Sequence, residues 1–202
     1  MLLESDVVYH VFNQGNNRQR IFYTAENYLF FIQKMRVHLL PYADLLSYCL
    51  MPNHFHWQLK PKDFGVEKGR SATFISDDGE VSSITKISSG IRTLLSSYTR
   101  AINRQENRSG SLFRAGTKMK PAYGADSNFY LKIDSNQPFS LFLPYVEKCF
   151  YYIHNNPVKA GLVQKAEDWK YSSASDYAGL RDSKLCNYDL AEKILNIKRK
   201  VH

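Results

Sequence analysis

The amino-acid sequence predicts an α+β domain built around an antiparallel sheet. Segments typical of strands and helices follow one another in the order strand, helix, strand, strand, helix. A short turn containing proline and asparagine separates the two central strands, which predicts a hairpin and therefore antiparallel pairing. The chain has 202 residues, enough for one well-buried core, so we expect a single domain over 1–202.

The first strand and the first helix have clear boundary signals. Residues 6–14 are rich in β-branched and aromatic side chains and precede the turn sequence GNNR (15–18). Thr24 is a suitable N-cap for a helix that extends through Leu40 and ends at Pro41. Apolar residues recur at helical spacing within this segment, which supports the assignment.

Two strands are expected after the first helix, and the composition of the chain changes after them. The strands are expected at 45–51 and 55–60, joined by the turn within MPNH. Residues 61–90 carry several glycines, many serines and the acidic run SDDGE, a composition that predicts a long surface loop or insertion. Another helix is expected from about 84 to 103.

The second half of the chain contains an extended segment, another loop and a C-terminal tail. The segment 111–122 is predicted to be a strand or extended chain with three regularly placed cations, Arg114, Lys118 and Lys120. A polar loop is expected over roughly 123–140. A C-terminal extension begins at about 164 and is expected to include a charged helix around 189–199.

The last clear helix is expected to begin near Pro144 and to stop at Pro157. On a helical wheel, one apolar face should pack on the sheet, formed by Val146, Cys149, Phe150 and Ile153. Tyr151 points into solvent, whereas Tyr152 lies at the edge of the buried face. Asn156 follows Tyr152 by four residues, so these two side chains are neighbours.

The predicted hairpin places two histidines on one face of a strand, in the sequence MPNHFHWQ. Because successive side chains of a strand point to opposite faces, His54 and His56 share one face, and Phe55 and Trp57 share the other. Two adjacent imidazoles are consistent with a metal site, with a bound anion or with plain exposure. The pattern alone leaves all three interpretations open.

The net charge indicates the kind of binding partner, and the cysteines indicate the cellular compartment. The chain has 27 Lys and Arg against 19 Asp and Glu, a net charge of +8, which favours a polyanionic partner, with nucleic acid ahead of a membrane. Cys49, Cys149 and Cys186 form no C-x-x-C pair, which favours a reduced, cytoplasmic protein without a thiolate zinc cluster. No apolar run approaches the length of a membrane span, and no signal peptide is expected.

Five motifs together resemble one protein family, in order along nearly the whole chain. The chain resembles the single-tyrosine HUH transposases, in particular the REP-associated tyrosine transposases, where HUH denotes His, a bulky hydrophobic residue and His. The motifs are YHVFNQGNNRQRIF (9–22), HFH within MPNHFHW, GSLFRAGTKMKP (110–121), YYIHNNPVKAGLV (151–163) and DWKYSS (168–173).

The resemblance implies a ferredoxin-like antiparallel sheet with helices packed on one face, plus extended loops and a C-terminal tail. It implies that Tyr152, five residues before the proline of NPVKAG, is the nucleophile. It also implies that His54, His56 and Asn156 bind a divalent metal, Mg²⁺ or Mn²⁺. The reaction would cleave and rejoin single-stranded DNA through a 5′-phosphotyrosine.

The implied partner is single-stranded DNA with a REP-like or element-end hairpin. The implied location is the cytoplasm, at the nucleoid, and the implied assembly is a homodimer. Candidate phosphate contacts are cations near the implied site: Arg18, Arg20, Arg114, Lys118 and Lys120. For each of these cations, a solvated surface charge is an equally good interpretation.

Two other functions remain open at the level of sequence. One is a catalytically silent DNA-binding domain of the same fold. The other is a metal-dependent hydrolase in which water, and not a tyrosine, attacks the substrate. A larger replication-initiation or relaxase enzyme of the HUH group fits less well, because such enzymes tend to use different tyrosine arrangements.

Overall fold

A computed structural model describes residues 3–75, 81–122 and 145–200. Its main sheet has four antiparallel strands in the order β2-β3-β1-β6. Their bounds are Tyr9–Gln14 (β1), Ala43–Met51 (β2), His54–Pro61 (β3) and Lys118–Pro121 (β6). Strands β4 (Lys68–Ile75) and β5 (Val81–Thr85) form a separate antiparallel pair. The order of the main sheet is that of the expected ferredoxin-like fold.

Helices cover both faces of this sheet. They are α1 (Ala25–His38), α2 (Asp63–Val66), α3 (Lys86–Gln105), α4 (Tyr145–Lys159), α5 (Ala174–Tyr177) and α6 (Tyr188–Leu195). As expected, α1 and α3 pack together on one face, where Phe31 of α1 contacts the rings of Phe55 and Trp57. Helix α4 adds cover on the opposite face, because its Cys149 and Ile153 pack against β2. None of the helices in the described ranges has the length and apolar character needed to cross a membrane.

The boundaries of the first helix and of the hairpin follow the local chemistry. Thr24 is the N-cap of α1, and the Asn27 side chain accepts a hydrogen bond from the Thr24 backbone N–H at 3.2 Å. Strands β2 and β3 pair from Met51 and His54 outward across a two-residue turn. The predicted N-cap and the predicted hairpin are confirmed, whereas α1 ends at His38, two residues before the predicted end at Leu40.

Of the two possibilities expected over 61–90, a long loop is wrong for the described part of the range, which is an ordered insertion outside the main sheet. Helix α2 and the β4–β5 pair occupy it, because short β-rich stretches such as SATFI and VSSIT lie between its glycines. Helix α3 begins at Lys86, where the N-cap Thr85 side chain accepts a hydrogen bond from the Ser88 backbone N–H at 3.3 Å. The predicted loop over 123–140 lies outside the described residues, as does Pro144 at the predicted start of the late helix.

Helix α4 does not stop at Pro157, so that prediction is also wrong. The helix continues to Lys159 and ends where Gly161 adopts a left-handed conformation, with φ of 68°. Gly161 N–H bonds to the Val158 carbonyl and Leu162 N–H to the Pro157 carbonyl, each at 2.9 Å. These two bonds form a Schellman cap, so glycine and not proline terminates the helix.

The C-terminal tail packs on strand β2. The indole N–H of Trp169 donates to the Leu50 carbonyl at 3.0 Å, and Ser172 bridges to Cys49 in the antiparallel sense. The tail's predicted charged helix is shorter than expected, since α6 ends at Leu195 before Asn196, whose φ of 53° is left-handed. The tail therefore covers the free edge of β2, which protects an otherwise open strand.

Candidate active site

One face of β3 carries the histidine pair, and we call it the histidine face: His10 and Phe12 of β1 with His54, His56 and Gln58 of β3. In the sheet register, Phe12 lies opposite His56 and His10 opposite Gln58. The alternate residues of β3 point to α1 and α3. The alternation predicted from the sequence is therefore confirmed, and it brings a third histidine, His10, beside the expected pair.

Helix α4 is fixed over the histidine face at its N-terminal end. The Gln58 side-chain N–H donates to the Val146 carbonyl at 2.7 Å, and Ser47 Oγ donates to Gln58 Oε1 at 3.0 Å. Further along the helix, Ile153 is fully buried, and Tyr151 on the solvent side is 47% exposed. Both observations match the helical wheel. Together these contacts set the rotation of α4, which decides where Tyr152 lies.

Tyr152 lies against the histidines. Its ring centroid is 5.4 Å from that of His56 and 6.0 Å from that of His10, with both rings edge-on to the phenol. The rings of His54 and His56 are themselves 5.0 Å apart and nearly perpendicular. The structure thus brings together the late-helix tyrosine and the hairpin histidines, which are about a hundred residues apart in the chain.

Each histidine of the pair has its Nδ1 atom engaged by a neighbour. His54 Nδ1 is 2.6 Å from Asn53 Oδ1, and the Asn53 amide N–H donates to the Arg18 carbonyl at 3.2 Å. His56 Nδ1 is 2.9 Å from His10 Nε2. Both hydrogen bonds leave the Nε2 atom of His54 and His56 as the nitrogen that can face a ligand.

Burial keeps the three imidazoles neutral near pH 7. It lowers the pKa of His10 to about 4, with a smaller effect from the Lys120 charge. Burial also lowers the pKa of His56 well below its usual value, and the neighbouring His10 and His54 add to this effect. The pKa of His54 is lowered by burial and partly restored by a hydrogen bond with Asn156. A neutral imidazole is the form that binds a metal.

Asn156 lies close to both functional groups. Its side-chain N–H donates to the Tyr152 backbone carbonyl at 2.8 Å, and its side chain also forms a hydrogen bond with His54. With His54 and His56, it offers two imidazole nitrogens and one carbonyl oxygen, a donor set that fits a divalent cation with open positions. Within the described ranges, no group of three or more His, Cys, Asp or Glu side chains is placed to hold a metal, and the third donor that the resemblance implies is the Asn156 amide.

The Tyr152 phenol needs help to lose its proton. Burial raises its pKa above the usual value, and a hydrogen bond with Asn156 partly offsets that effect. The ammonium group of Lys159 lies 5.6 Å from the centre of the Tyr152 ring. A positive charge at this distance favours the phenolate and can attract a phosphate.

An open cavity of about 330 Å³ lies in front of these residues. Its wall includes Tyr152, His54 and His56 together with Arg114 and Lys118 from the cationic segment. The chain reaches this wall through Gly116, whose φ of 71° is left-handed and favours glycine. Two of the five cations proposed from the sequence therefore line the same cavity as the tyrosine.

The other three proposed cations lie elsewhere. Lys120 lines a smaller cavity of about 110 Å³ behind the site, together with His10 and Tyr152. Arg18 and Arg20 are exposed in the turn after β1 and do not line the 330 Å³ cavity. That turn is nonetheless bonded to the β2–β3 turn beside His54.

A wider groove of about 530 Å³ adjoins the cavity. It shares Asn13 and Arg114 with the cavity, and it extends along α3 past Arg92, over an apolar floor that includes Leu95 and Phe113. The groove is larger than the cavity at the histidines, but it contains neither the tyrosine nor a histidine. It is therefore separate from the group of residues that includes Tyr152 and the histidines.

Two residues of the site were missed from the sequence. His10 is recognisable only after the register of β1 against β3 is known, because it is 46 residues from His56. Lys159 follows Tyr152 by seven residues and so lies on the same side of the helix. The predicted stop at Pro157 concealed it, and recognition of Gly161 as the cap would have revealed it.

Comparison with known proteins supports the fold. No protein-family model matches the chain, and no curated protein matches it in sequence. The chain is similar to the solved structure of a REP-associated tyrosine transposase bound to a REP hairpin, with 16% sequence identity and a TM-score of 0.52. The match covers 93% of this chain and 94% of that chain. The chain therefore shares its fold with that transposase over nearly the full length of both molecules.

Proposed function

We propose that this protein is a metal-dependent HUH-type transposase that cleaves and rejoins hairpin-flanked single-stranded DNA. In this proposal Tyr152 is the nucleophile, and His54, His56 and Asn156 hold a divalent cation, Mg²⁺ or Mn²⁺. The observation that carries the proposal is the contact between Tyr152 and His56, whose ring centroids are 5.4 Å apart at the wall of one open cavity.

The donor atoms of the site support a cation there. The Nδ1 atoms of the pair are occupied by hydrogen bonds to Asn53 Oδ1 and His10 Nε2, and the Asn156 N–H is also occupied. A divalent cation held by the remaining donors would polarise a phosphate and offset the charge that develops on it.

The proposed reaction exchanges one phosphodiester bond for another. The Tyr152 oxygen forms a bond to phosphorus while the bond from phosphorus to the 3′ oxygen breaks, and the phenolic proton is finally carried by the released 3′-hydroxyl. The products are a 5′-phosphotyrosine and a free 3′-hydroxyl. Attack by a 3′-hydroxyl of another strand reverses the step, so no nucleotide cofactor is consumed.

Two residues would prepare the tyrosine for attack. Asn156 bonds to the helix carbonyl of Tyr152 and lowers the pKa of its phenol, against the effect of burial. Lys159, whose ammonium group lies 5.6 Å from the centre of the ring, would add a positive charge near the phenol and the incoming phosphate. Stabilisation of developing negative charge by a hydrogen bond and a nearby cation is a usual way to activate a weak nucleophile.

The DNA strand would follow the cationic wall. Arg114 lines both the cavity and the adjoining groove, and Lys118 lies at the cavity. A strand that crosses from cavity to groove would have cations along its phosphates and apolar side chains against its bases, the usual arrangement for single strands. Tyr152 and its histidines come from the same chain, so the homodimer implied by the resemblance is not needed to form this site.

The test is covalent capture of DNA by matched tyrosine variants. The protein is incubated with Mn²⁺ and a library of single strands that carry hairpins, and denaturing gels then detect protein–DNA adducts. We expect an adduct for the parent and for Tyr151→Phe, whose ring is exposed on the outer side of α4. We expect none for Tyr152→Phe. Sequencing of the trapped strands identifies the DNA site.

The same gels distinguish the two alternatives. Cleavage that persists in Tyr152→Phe, without an adduct, indicates a hydrolase in which water attacks. DNA binding without any metal-dependent cleavage indicates a silent DNA-binding domain. An adduct that survives Tyr152→Phe but is lost in Tyr151→Phe assigns the nucleophile to the neighbouring tyrosine and contradicts the proposal.

A further inference from the structure

We propose that His10 is a positioning residue that accepts a hydrogen bond from His56 Nδ1–H and so keeps the Nε2 lone pair of His56 available to a divalent cation. This inference rests on the proposed function, because it concerns the cation site of that reaction. It assigns a role to a histidine of the first strand that is outside the proposed ligand set.

The geometry carries the inference. His10 Nε2 and His56 Nδ1 are 2.9 Å apart, with ring centroids separated by 5.0 Å in a stacked arrangement. The side chains are 7% and 5% exposed, so neither can exchange this partner for bulk water without moving. A buried polar contact of this kind fixes ring orientation, because leaving either nitrogen unpaired costs free energy.

The proton in this contact can occupy only one of two places. If His10 donates, His56 carries its own proton on Nε2 and has no lone pair there for a cation. If His56 donates from Nδ1, its Nε2 has a free lone pair. Only the second arrangement is compatible with cation binding at His56 Nε2, so the acceptor must be His10.

His54 shows the same arrangement with an unambiguous acceptor. Its Nδ1 faces Asn53 Oδ1, and the Asn53 N–H is used by the Arg18 carbonyl, which fixes the orientation of the amide. An amide oxygen only accepts, so His54 must donate from Nδ1. The two histidines are therefore held alike, one by an amide and one by an imidazole.

The surroundings of His10 can accommodate the required tautomer. When its Nε2 accepts, its proton is on Nδ1 and needs a partner of its own. His10 lines the cavity of about 110 Å³ behind the site, which also includes Lys120, Tyr145 and Tyr152. That space is large enough for water, and the side chains of Lys120, Tyr145 and Tyr152 bring polar atoms to its wall.

The experiment measures Mn²⁺ binding to the full chain without DNA, by the electron paramagnetic resonance signal of free Mn²⁺. We expect His10→Phe to weaken Mn²⁺ binding about 10- to 100-fold, the usual cost of losing a hydrogen-bond partner of a metal ligand. His10→Gln, whose amide oxygen can accept from His56, should bind close to the parent.

A second buried histidine provides the matched control. His154 lies on the buried side of α4 and bonds to Ser173 Oγ at 2.7 Å, outside the proposed ligand set. His154→Phe should lower the melting temperature yet leave Mn²⁺ affinity unchanged. Equal loss of Mn²⁺ affinity in both Phe variants would show general destabilisation and overturn the inference, as would His10→Phe binding like the parent.

Nuclear magnetic resonance of the Zn²⁺-loaded parent keeps the inference testable even if His10→Phe does not fold. We expect nitrogen-15 spectra to show the His56 proton on Nδ1, and a proton on Nε2 contradicts the assignment. A parent that binds neither Mn²⁺ nor Mg²⁺ contradicts the proposed metal chemistry itself. If the parent binds the cation but the variants show none of the predicted differences in Mn²⁺ affinity, the role of His10 is contradicted and the proposed metal chemistry is not.

Discussion

The two faces of strand β3 carry opposite kinds of chemistry within consecutive residues. Phe55 and Trp57 stack at 4.2 Å between ring centroids and pack with Phe31 under α1 and α3. His54 and His56 point the other way, toward Tyr152 and an open cavity. A motif of alternating aromatic and imidazole rings thus anchors the fold with one set of side chains and presents reactive groups with the other.

The difference between the two faces of β3 explains how the histidine face can carry polar groups. The aromatic face is a closely packed core of fully buried rings, which helps to fix the backbone of β3. On the histidine face, polar atoms are held by hydrogen bonds from Asn53, His10 and Gln58. Substitutions on one face should therefore change stability, and substitutions on the other should change binding and reaction.

The largest effect is expected on the aromatic face. Phe55→Ala should lower the free energy of unfolding by about 3–5 kcal/mol, because it removes a fully buried ring and leaves a cavity. Urea denaturation monitored by circular dichroism measures the change. A loss below about 1 kcal/mol would show that this face does not anchor the sheet.

At His54, the residue before Phe55, a substitution should change Mn²⁺ binding and not stability. His54→Ala should weaken Mn²⁺ binding at least tenfold, about 1.4 kcal/mol, because a proposed ligand is lost. The free energy of unfolding should change by less than about 1 kcal/mol, since His54 is only partly buried. Titration calorimetry and urea denaturation give the two values. If His54→Ala lost as much stability as Phe55→Ala, the proposed difference between the two faces would be contradicted.

Acid should destabilise the protein through His154 of α4. Burial lowers the pKa of His154 to about 3 in the folded protein, against about 6.5 in the unfolded chain, so the unfolded state binds more protons between those values. The stability that His154 contributes is therefore complete above pH 6.5 and falls by at most about 1.4 kcal/mol per pH unit as the pH drops toward 3.

His154→Gln tests this dependence, because glutamine can still bond to Ser173 Oγ but does not titrate. Urea denaturation between pH 7 and 5 should show a smaller loss of stability for the variant than for the parent. Parallel curves for the two proteins would mean that His154 is accessible to protons in the folded state.

The smallest effect is expected at the exposed cations of the cavity. Lys118→Ala should reduce the slope of log K against log salt for single-stranded DNA by about 0.7, the value for one lost phosphate contact. Lys170→Ala is the control, because Lys170 is exposed on the tail and does not line the cavity. Fluorescence anisotropy across a salt series gives both slopes, and equal slopes would remove Lys118 from the DNA path.

Local patterns in the sequence determined much of the site. Strand alternation placed His54 and His56 opposite Phe55 and Trp57, because the side-chain period of a strand is a property of its own backbone. Helical periodicity separated Tyr152 from exposed Tyr151 in the same way. The α+β class and the hairpin also followed from local signals.

Other features depended on contacts between distant parts of the chain. The register of β1 against β3 brings His10 to His56, and the rotation of α4, held by Gln58, brings Lys159 beside Tyr152's ring. A sequence pattern specifies which face a residue occupies on its own element. Only tertiary packing decides which face of another element it meets, because that choice depends on strand register and helix placement across the whole sheet.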